Sequence, residues 1–515
     1  MGEVTSTLKP EREFESERRN HWKILLLILA FAFGLRVFLG LFPGVIQNDG
    51  IEYIRHAKQV LAGNWTGGKS APLYPGFIGA GYIVIKDFEL AGIWVSVIFG
   101  ALLVIPVFYL GKEIFNETVG IVSALFAAVH PFLYVSAGSV LTESTYYFLL
   151  GTSVLFGWYA FKEARFSHIV LFSFFTTLAY FTKPEAIGIL IVFSVWTLSM
   201  NPPNGERRFV KRIGIILIAS ISFLIFSFPY LQQIRNEKGT WGISKKATIS
   251  IGSLSEEEEA PSLETLRKKK GITLSSLIKH PLPVLGKIGT GIVVSLYRFL
   301  HSYNPILFFL AVFGWVLLSK KESVYSWKGN FFLLAHLIFY FGFVFPFFII
   351  SKRYTSQMVS ISIPWAAFGF LELTEWLHRR WRGGIPLKKF SILLLIFLLA
   401  GLFIQGGIKH IRKDRTIQKE AGLWMKENLP RGIRIMSRLP QEAFYGETGW
   451  ARIPKGNYEE VLGVARFKGI QYLVLDEGIE KEWPGFWKQI KERDLILLKD
   501  LKMQDRRMAI FKIIY

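Results

Sequence analysis

Residues 22–42 read WKILLLILAFAFGLRVFLGLF. About 20 consecutive apolar residues is the length that crosses the hydrocarbon of a bilayer as one helix. No small-residue cleavage site follows, so the run is read as a retained first membrane helix and not as a signal peptide. Ahead of it, residues 1–21 mix Glu11, Glu13, Glu15 and Glu17 with Arg12, Arg18 and Arg19 and are assigned to the cytoplasm. Long apolar runs recur as far as Ile392–Leu402, and they explain the composition. The 515 residues are 51% hydrophobic, 16% aromatic and only 19% charged, with a mean hydropathy of +0.34. A soluble chain would carry roughly 25% charged residues. These figures exclude disordered, collagenous and small disulfide-scaffold classes and leave a mainly α, polytopic membrane protein.

Lysine and arginine number 61 against 39 acids, for a net charge of +22. In a membrane chain such an excess collects in cytoplasmic loops and at the headgroup level. No recognised nucleic-acid module accompanies it, so a nucleic-acid partner is rejected. The absence of cysteine removes disulfides, thiolate metal sites and cysteine nucleophiles.

The charges also set a topology. Asn201–Arg212, Ser319–Lys328 and Glu375–Lys389 are short and positive, hence cytoplasmic. Crossings are then expected at about 142–161, 167–182, 185–200, 213–230, 292–318, 330–350, 356–374 and 390–406. In the front half, Pro72–Ile85, Ala91–Gly111 and Val119–Ala137 cannot all be full crossings; the first, rich in glycine and proline, is expected to be the shallow or broken helix, with the third, interrupted by His130-Pro131, the other candidate. The total expected is about eleven to thirteen helices over residues 22–408. A first outer loop spans 43–70 and a large outer loop 231–291, the latter with the acidic Glu256–Glu259 beside the basic Arg267–Lys270. Residues 409–515 change character. Helical Thr416–Asn428 and Tyr458–Lys468 alternate with strand-like Ile433–Ser437, Ile470–Leu475, Leu495–Leu498 and Met508–Ile514. They are expected to form a small α/β domain on the extracytoplasmic side.

Five charged sites fall on that side at the ends of different helices. Asp49 lies just past the first helix and opens an amphipathic stretch containing Glu52 and Tyr53. Glu143 starts a helix, Lys183 precedes Pro184-Glu185, Arg235 follows Pro229-Tyr230, and Lys352-Arg353-Tyr354 breaks the positive-inside pattern. Each has an ordinary explanation: an N-cap for Asp49, first-turn acid for Glu143, snorkelling or interface anchoring for the cations. Together they place two acids and several cations at one membrane face. Charges at such depth are costly and mark function by default. Cations suit a lipid phosphate, and a carboxylate beside them suits the proton of an attacking hydroxyl.

Asn48-Asp49…Tyr53…Ala57…Leu61-Ala62-Gly63, Pro72-Leu73-Tyr74-Pro75, Leu141-Thr142-Glu143 and Thr182-Lys183-Pro184-Glu185 run in an order that resembles the GT-C membrane glycosyltransferases. The group most resembled is glycosyltransferase family 39, which holds the protein O-mannosyltransferases and the lipid A aminoarabinose transferases. Arg235-Asn236, Arg353-Tyr354 and the tail motif Trp424…Glu427-Asn428-Leu429-Pro430 extend the resemblance over nearly the whole chain. It implies a polyprenyl-phosphate sugar donor, an extracytoplasmic lipid, glycan or protein acceptor, and inversion at the anomeric carbon. By the same resemblance Asp49 and Glu143 are catalytic, and Lys183, Arg235, Arg353 and Tyr354 hold the donor phosphate. Glu52, Tyr53, Tyr74 and Glu185 are secondary candidates. Asn48 stands where the family's first-loop motif has a second acid, and Lys183 where it often has arginine. No cofactor is firmly expected; a divalent cation would draw on Glu52. The alternatives are a transporter or flippase for a lipid-linked saccharide, whose ionisable residues belong near the bilayer midplane, and a glycan-binding scaffold acting through residues 409–515.

Overall fold

The computed structural model describes residues 11–42, 44–64, 68, 70–203, 205–244, 281–318, 327–347, 352–380, 385–410, 416–454, 456–503 and 506–514. The Glu256–Glu259 and Arg267–Lys270 blocks lie outside the described residues, as does most of the Ser319–Lys328 loop. The chain divides into two compact units. One comprises residues 1–41 and 56–409; the other joins Phe42–Arg55 to residues 410–515. The first outer loop was expected to belong wholly with the membrane unit; instead its first half packs with the carboxyl-terminal residues.

The first unit is a helical bundle. Without water, every backbone polar group must be satisfied within the span, and helices do this alone. Among the described residues, five helices are long and apolar enough to cross a membrane: Trp22–Gly40, Phe88–Ile114, Phe209–Glu237, Trp327–Val344 and Leu387–Gly407. Shorter apolar helices, Leu73–Ile85, Glu117–Val129, Phe166–Tyr180 and Pro184–Ser199, pack among them. The expected crossing 292–318 is in fact two helices, Pro281–Tyr303 and Pro305–Leu318, meeting at 106°. Asn304 makes the corner: its φ is +74°, and its Oδ1 accepts from the amides of Ile306 and Leu307 at 2.9 and 3.4 Å. Asparagine tolerates the left-handed region, and Pro305 suits a first helical position. The large outer loop is shorter than expected at both ends, because helix Phe209–Lys238 runs on past Leu231 and helix Pro281–Tyr303 begins before Gly291. Helices Pro305–Leu318 and Gln357–Arg380 cross at Gly314 and Gly369, where an added Cβ would collide with the opposing backbone. Small residues at helix crossings allow this approach in membranes.

Of the two candidates for a broken run, Leu73–Ile85 is one continuous helix, and the break falls at His130-Pro131. Proline has no amide hydrogen, so the Ala127 carbonyl loses its helical donor. The Phe132 amide turns to His130 Nδ1, leaving Ala128 without its donor too. Arg36, fully buried in the first helix, supplies both: Nη2 donates to Ala127 O at 3.2 Å and Nη1 to Ala128 O at 3.0 Å. Leaving a buried carbonyl unpaired costs about 1–3 kcal/mol. Arg36→Met is therefore expected to destabilise the protein by about 2–4 kcal/mol. Pro131→Ala, which restores the helical donor to Ala127, should recover part of that loss in a thermal-melt double-mutant cycle; purely additive effects would reject the pairing.

The second unit carries a five-stranded sheet of order β2-β1-β3-β5-β4, built from β1 (Arg434–Ser437), β2 (Gly449–Arg452), β3 (Tyr472–Asp476), β4 (Leu495–Met503) and β5 (Arg506–Ile513). β1 runs parallel to β2 and β3, and β5 antiparallel to β3 and β4. β3 is apolar from Tyr472 to Leu475 because both its faces are covered there. Tyr472 and Val474 join the core beneath helix Thr416–Asn428, whereas Leu473 and Leu475 join the core beneath helix Tyr458–Phe467. Strand β2 and the short helix Gln441–Tyr445 were not expected; Gly449–Arg452 is mostly exposed and shows no strong alternation.

At the carboxyl ends of β1 and β3, Arg438 grips Asp476 through two hydrogen bonds of 2.9 and 2.6 Å, and Glu442 lies buried beside them. Burial pushes the Glu442 carboxyl up to about 8, with the neighbouring Asp476 charge adding to the rise and Ser437 and Arg438 opposing it. An unfolded glutamate ionises near 4.3. The folded state thus holds a proton that the unfolded state has lost, and stability falls as pH rises from about 4 to about 8. Glu442→Gln should remove that loss. The variant is expected to melt several degrees above the parent at pH 8, with the difference closing at pH 4; no difference at pH 8 would contradict the buried neutral acid.

Candidate active site

Three separated pieces of sequence meet at one end of the helical unit. Glu143 is the first residue of helix Glu143–Glu163; Lys183 follows helix Phe166–Tyr180, which packs antiparallel to it. Arg353 lies in the short helix Lys352–Thr355, just ahead of Gln357–Arg380. Thr142, the residue before the helix, makes no capping bond with its side chain, so the capping explanation of this motif lacks its hydrogen bond. The Glu143 carboxylate instead takes both cations. Lys183 Nζ lies 3.3 Å from Oε1, and Arg353 donates to the same oxygen through Nε and Nη2, each at 3.0 Å. Glu143 is only 1% exposed. Its other oxygen, Oε2, is buried with no hydrogen-bond partner among the described residues.

Aromatic rings wall the cations. The Lys183 ammonium sits 5.4 Å from the ring centres of both Tyr146 and Tyr354. Pro184 begins a 3₁₀ turn, Pro184–Ala186, which takes the chain from Lys183 into the next helix. Tyr147 and Ser356 share a hydrogen bond between their hydroxyls, and this joins the Glu143 helix to the Arg353 segment. Within this trio two cations meet one buried acid, and cations so placed suit an anion such as phosphate.

The other expected residues distribute as follows. Arg235 stands over the Trp241 ring at 4.8 Å and is exposed. Tyr230, on the same helix, packs against Tyr180 and Phe181 at 5.8 and 5.5 Å. Arg235 is therefore at the same end as Lys183, about 7.5 Å further along the helix. Tyr74 is buried and structural: its hydroxyl donates to Gly92 O at 3.1 Å and bonds Ser96 Oγ at 2.9 Å. The Glu185 carbonyl accepts from the Tyr340 hydroxyl at 2.9 Å. Asp49, Glu52 and Tyr53 belong to the second unit. Asp49 is exposed in the first turn of helix Asn48–Leu61, Glu52 is ion-paired with Arg55, and Tyr53 is buried. Sequence reasoning missed Gln357, a fully buried amide with neither polar atom bonded among the described residues. The only sign of it was a polar run, Ser351–Gln357, opening an apolar helix.

Among the described residues, no group of three or more histidine, aspartate or glutamate side chains gathers that would hold a metal ion. Of the expected acids, Glu143 is paired with two cations and Glu52 with Arg55. His130 and His336 are buried against backbone carbonyls, of Tyr303 at 2.8 Å and Phe332 at 2.9 Å.

Residues 69–231, which contain Glu143 and Lys183, match the family described as dolichyl-phosphate-mannose-protein mannosyltransferase. Among solved structures, ArnT from Cupriavidus metallidurans bound to undecaprenyl phosphate aligns with a TM-score of 0.58 at 10% identity, covering 94% of this chain and 97% of that one. The archaeal oligosaccharyltransferase AglB from Archaeoglobus fulgidus, in complex with an inhibitory peptide and a dolichol-phosphate, aligns with a TM-score of 0.52 at 13% identity, covering 92% and 71%. No curated protein matches. The family match of residues 69–231 and a fold like that of ArnT and AglB agree with the resemblance to the GT-C membrane glycosyltransferases drawn from the sequence.

Proposed function

We propose that the protein transfers a sugar from a polyprenyl-phosphate donor to an acceptor hydroxyl on the extracytoplasmic face, with inversion, the amino terminus lying in the cytoplasm. The observation that carries this is the buried Glu143 held between Lys183 and Arg353 at one helix end. In this reading the two cations receive the phosphate, with Arg353 the better shaped partner and Lys183 a point charge. Arg235 reaches the outer part of the headgroup, and Tyr354 lines the approach. As the glycosidic bond to phosphate breaks, negative charge grows on the leaving phosphate, and cations already in place stabilise it without reorganising. Glu143 keeps the two cations apart and aligned, and its Oε2 is an acceptor for a hydroxyl. Asp49 takes the proton of the attacking hydroxyl, a role carried over from the family motif.

The purified protein, given a radiolabelled polyprenyl-phosphate sugar and a cell-envelope acceptor extract, should release free polyprenyl phosphate and label the extract. A flippase would move the donor across proteoliposomes without cleaving it, and a scaffold would only bind. An intact donor after prolonged incubation with every acceptor fraction would reject transfer.

A further inference from the structure

We propose that Gln441 and Tyr445, in the carboxyl-terminal domain, are positioning residues for Asp49; this rests on the reading of Asp49 as the acid that receives the acceptor proton. The described residues 44–47 form no helix or strand, so their backbone groups need partners from elsewhere. Both polar groups of Ile46 find them on one five-residue helix, Gln441–Tyr445. The Ile46 amide donates to the Tyr445 hydroxyl at 3.0 Å, and Gln441 Nε2 donates to the Ile46 carbonyl at 3.2 Å. Gln441 Nε2 also donates to Asn48 Oδ1 at 2.7 Å, and Asn48 is the residue on which the Asp49 helix opens. Gln441, Ile46 and Tyr445 are all buried, so water does not substitute for these bonds.

The clamp has a rigid seat. Gly422, on helix Thr416–Asn428, faces it so closely that an added Cβ would lie 2.5 Å from Tyr445 Cβ and 2.8 Å from the Glu442 carbonyl. Lys419, one turn earlier, lies 5.1 Å from the centre of the Tyr445 ring. A catalytic group must be held within about 0.5 Å of its working place, and a 1 Å error can cost roughly a hundredfold in rate. The α/β domain thus sets the start of the Asp49 helix, through side chains that touch neither donor nor acceptor.

The test uses the purified full-length protein in the transfer assay. Gln441→Ala, Tyr445→Phe and Asn48→Ala should each lower kcat about tenfold or more, with the KM for donor within about twofold and the melting temperature lowered by only a few degrees, as one unpaired buried group costs about 1–3 kcal/mol. Gln441→Met, which fills the space without donating, should lose as much as Gln441→Ala, which separates the hydrogen bond from packing. Gln441→Ala combined with Asn48→Ala should be little worse than the worse single variant, because both act through one bond. Phe467→Ser, at an exposed position of the same domain, should keep full turnover. Parental kcat in both Gln441→Met and Tyr445→Phe, or multiplicative losses in the double variant, would overturn the proposal. Asp49→Asn separates the two readings. If it retains turnover, the role of Asp49 falls and positioning falls with it. If it abolishes turnover while Gln441→Met does not lower it, only positioning falls.

Discussion

Glu143→Gln is expected to lower sugar transfer by roughly a hundred- to a thousandfold and to destabilise the fold by about 3 kcal/mol. The amide keeps the volume and removes the charge, leaving Lys183 and Arg353 to face each other in a poorly solvated site. The Lys183 and Arg353 side chains are 11% and 30% exposed, so both can turn partly to water. That relief keeps the folding cost at the low end of the range for a broken buried pair. The catalytic cost is not relieved, because a cation that has swung outward no longer meets the leaving phosphate. Glu143→Asp, which keeps the charge but withdraws it by one methylene, should fall between the two. Turnover and thermal melting on the same preparations check this, and unchanged turnover in Glu143→Gln would remove the cluster from the chemistry.

Asp49→Asn is the other large effect, and it separates two explanations of one residue. The structure places Asp49 in the first helical turn and not at the cap, so a purely structural role, exerted through its charge on the helix end, predicts a loss of about 0.3–1 kcal/mol of stability and no change in rate. As a proton acceptor, the amide is useless, and transfer should fall by about 10² to 10⁴ or more. The exposed position of Asp49 makes a folding defect a poor explanation for such a loss. Near-normal melting with abolished turnover is the expected pair of results; near-normal melting with normal turnover leaves only the first-turn charge.

The readable parts of this protein are those written by solvent. Apolar runs of bilayer length announce membrane helices because lipid offers backbone groups no partner. The polar tail with its apolar β3 announces a sheet covered on both faces. Residue type also picked out Glu143, Lys183 and Arg353, since charge at a membrane edge is costly enough to need a reason. What residue type did not reveal is that the acid and the two cations, expected in separate roles, share a single carboxylate oxygen. The bend at Asn304-Pro305 was likewise hidden, because two helices meeting at a sharp angle have the same composition as one straight span.

From the sequence alone come the membrane class, the α/β tail and the cast of charged residues, because local hydropathy and charge are properties of short stretches. The tertiary structure alone decided three things: that Arg36 answers the carbonyls freed at Pro131, that Phe42–Arg55 packs with the carboxyl-terminal domain, and that Glu143 binds Lys183 and Arg353. Each is a contact between residues some 40 to 400 positions apart. Such contacts exist only because unpaired donors, acceptors and charges cannot stay unpaired once burial has removed water, and no local pattern records which distant partner will be there.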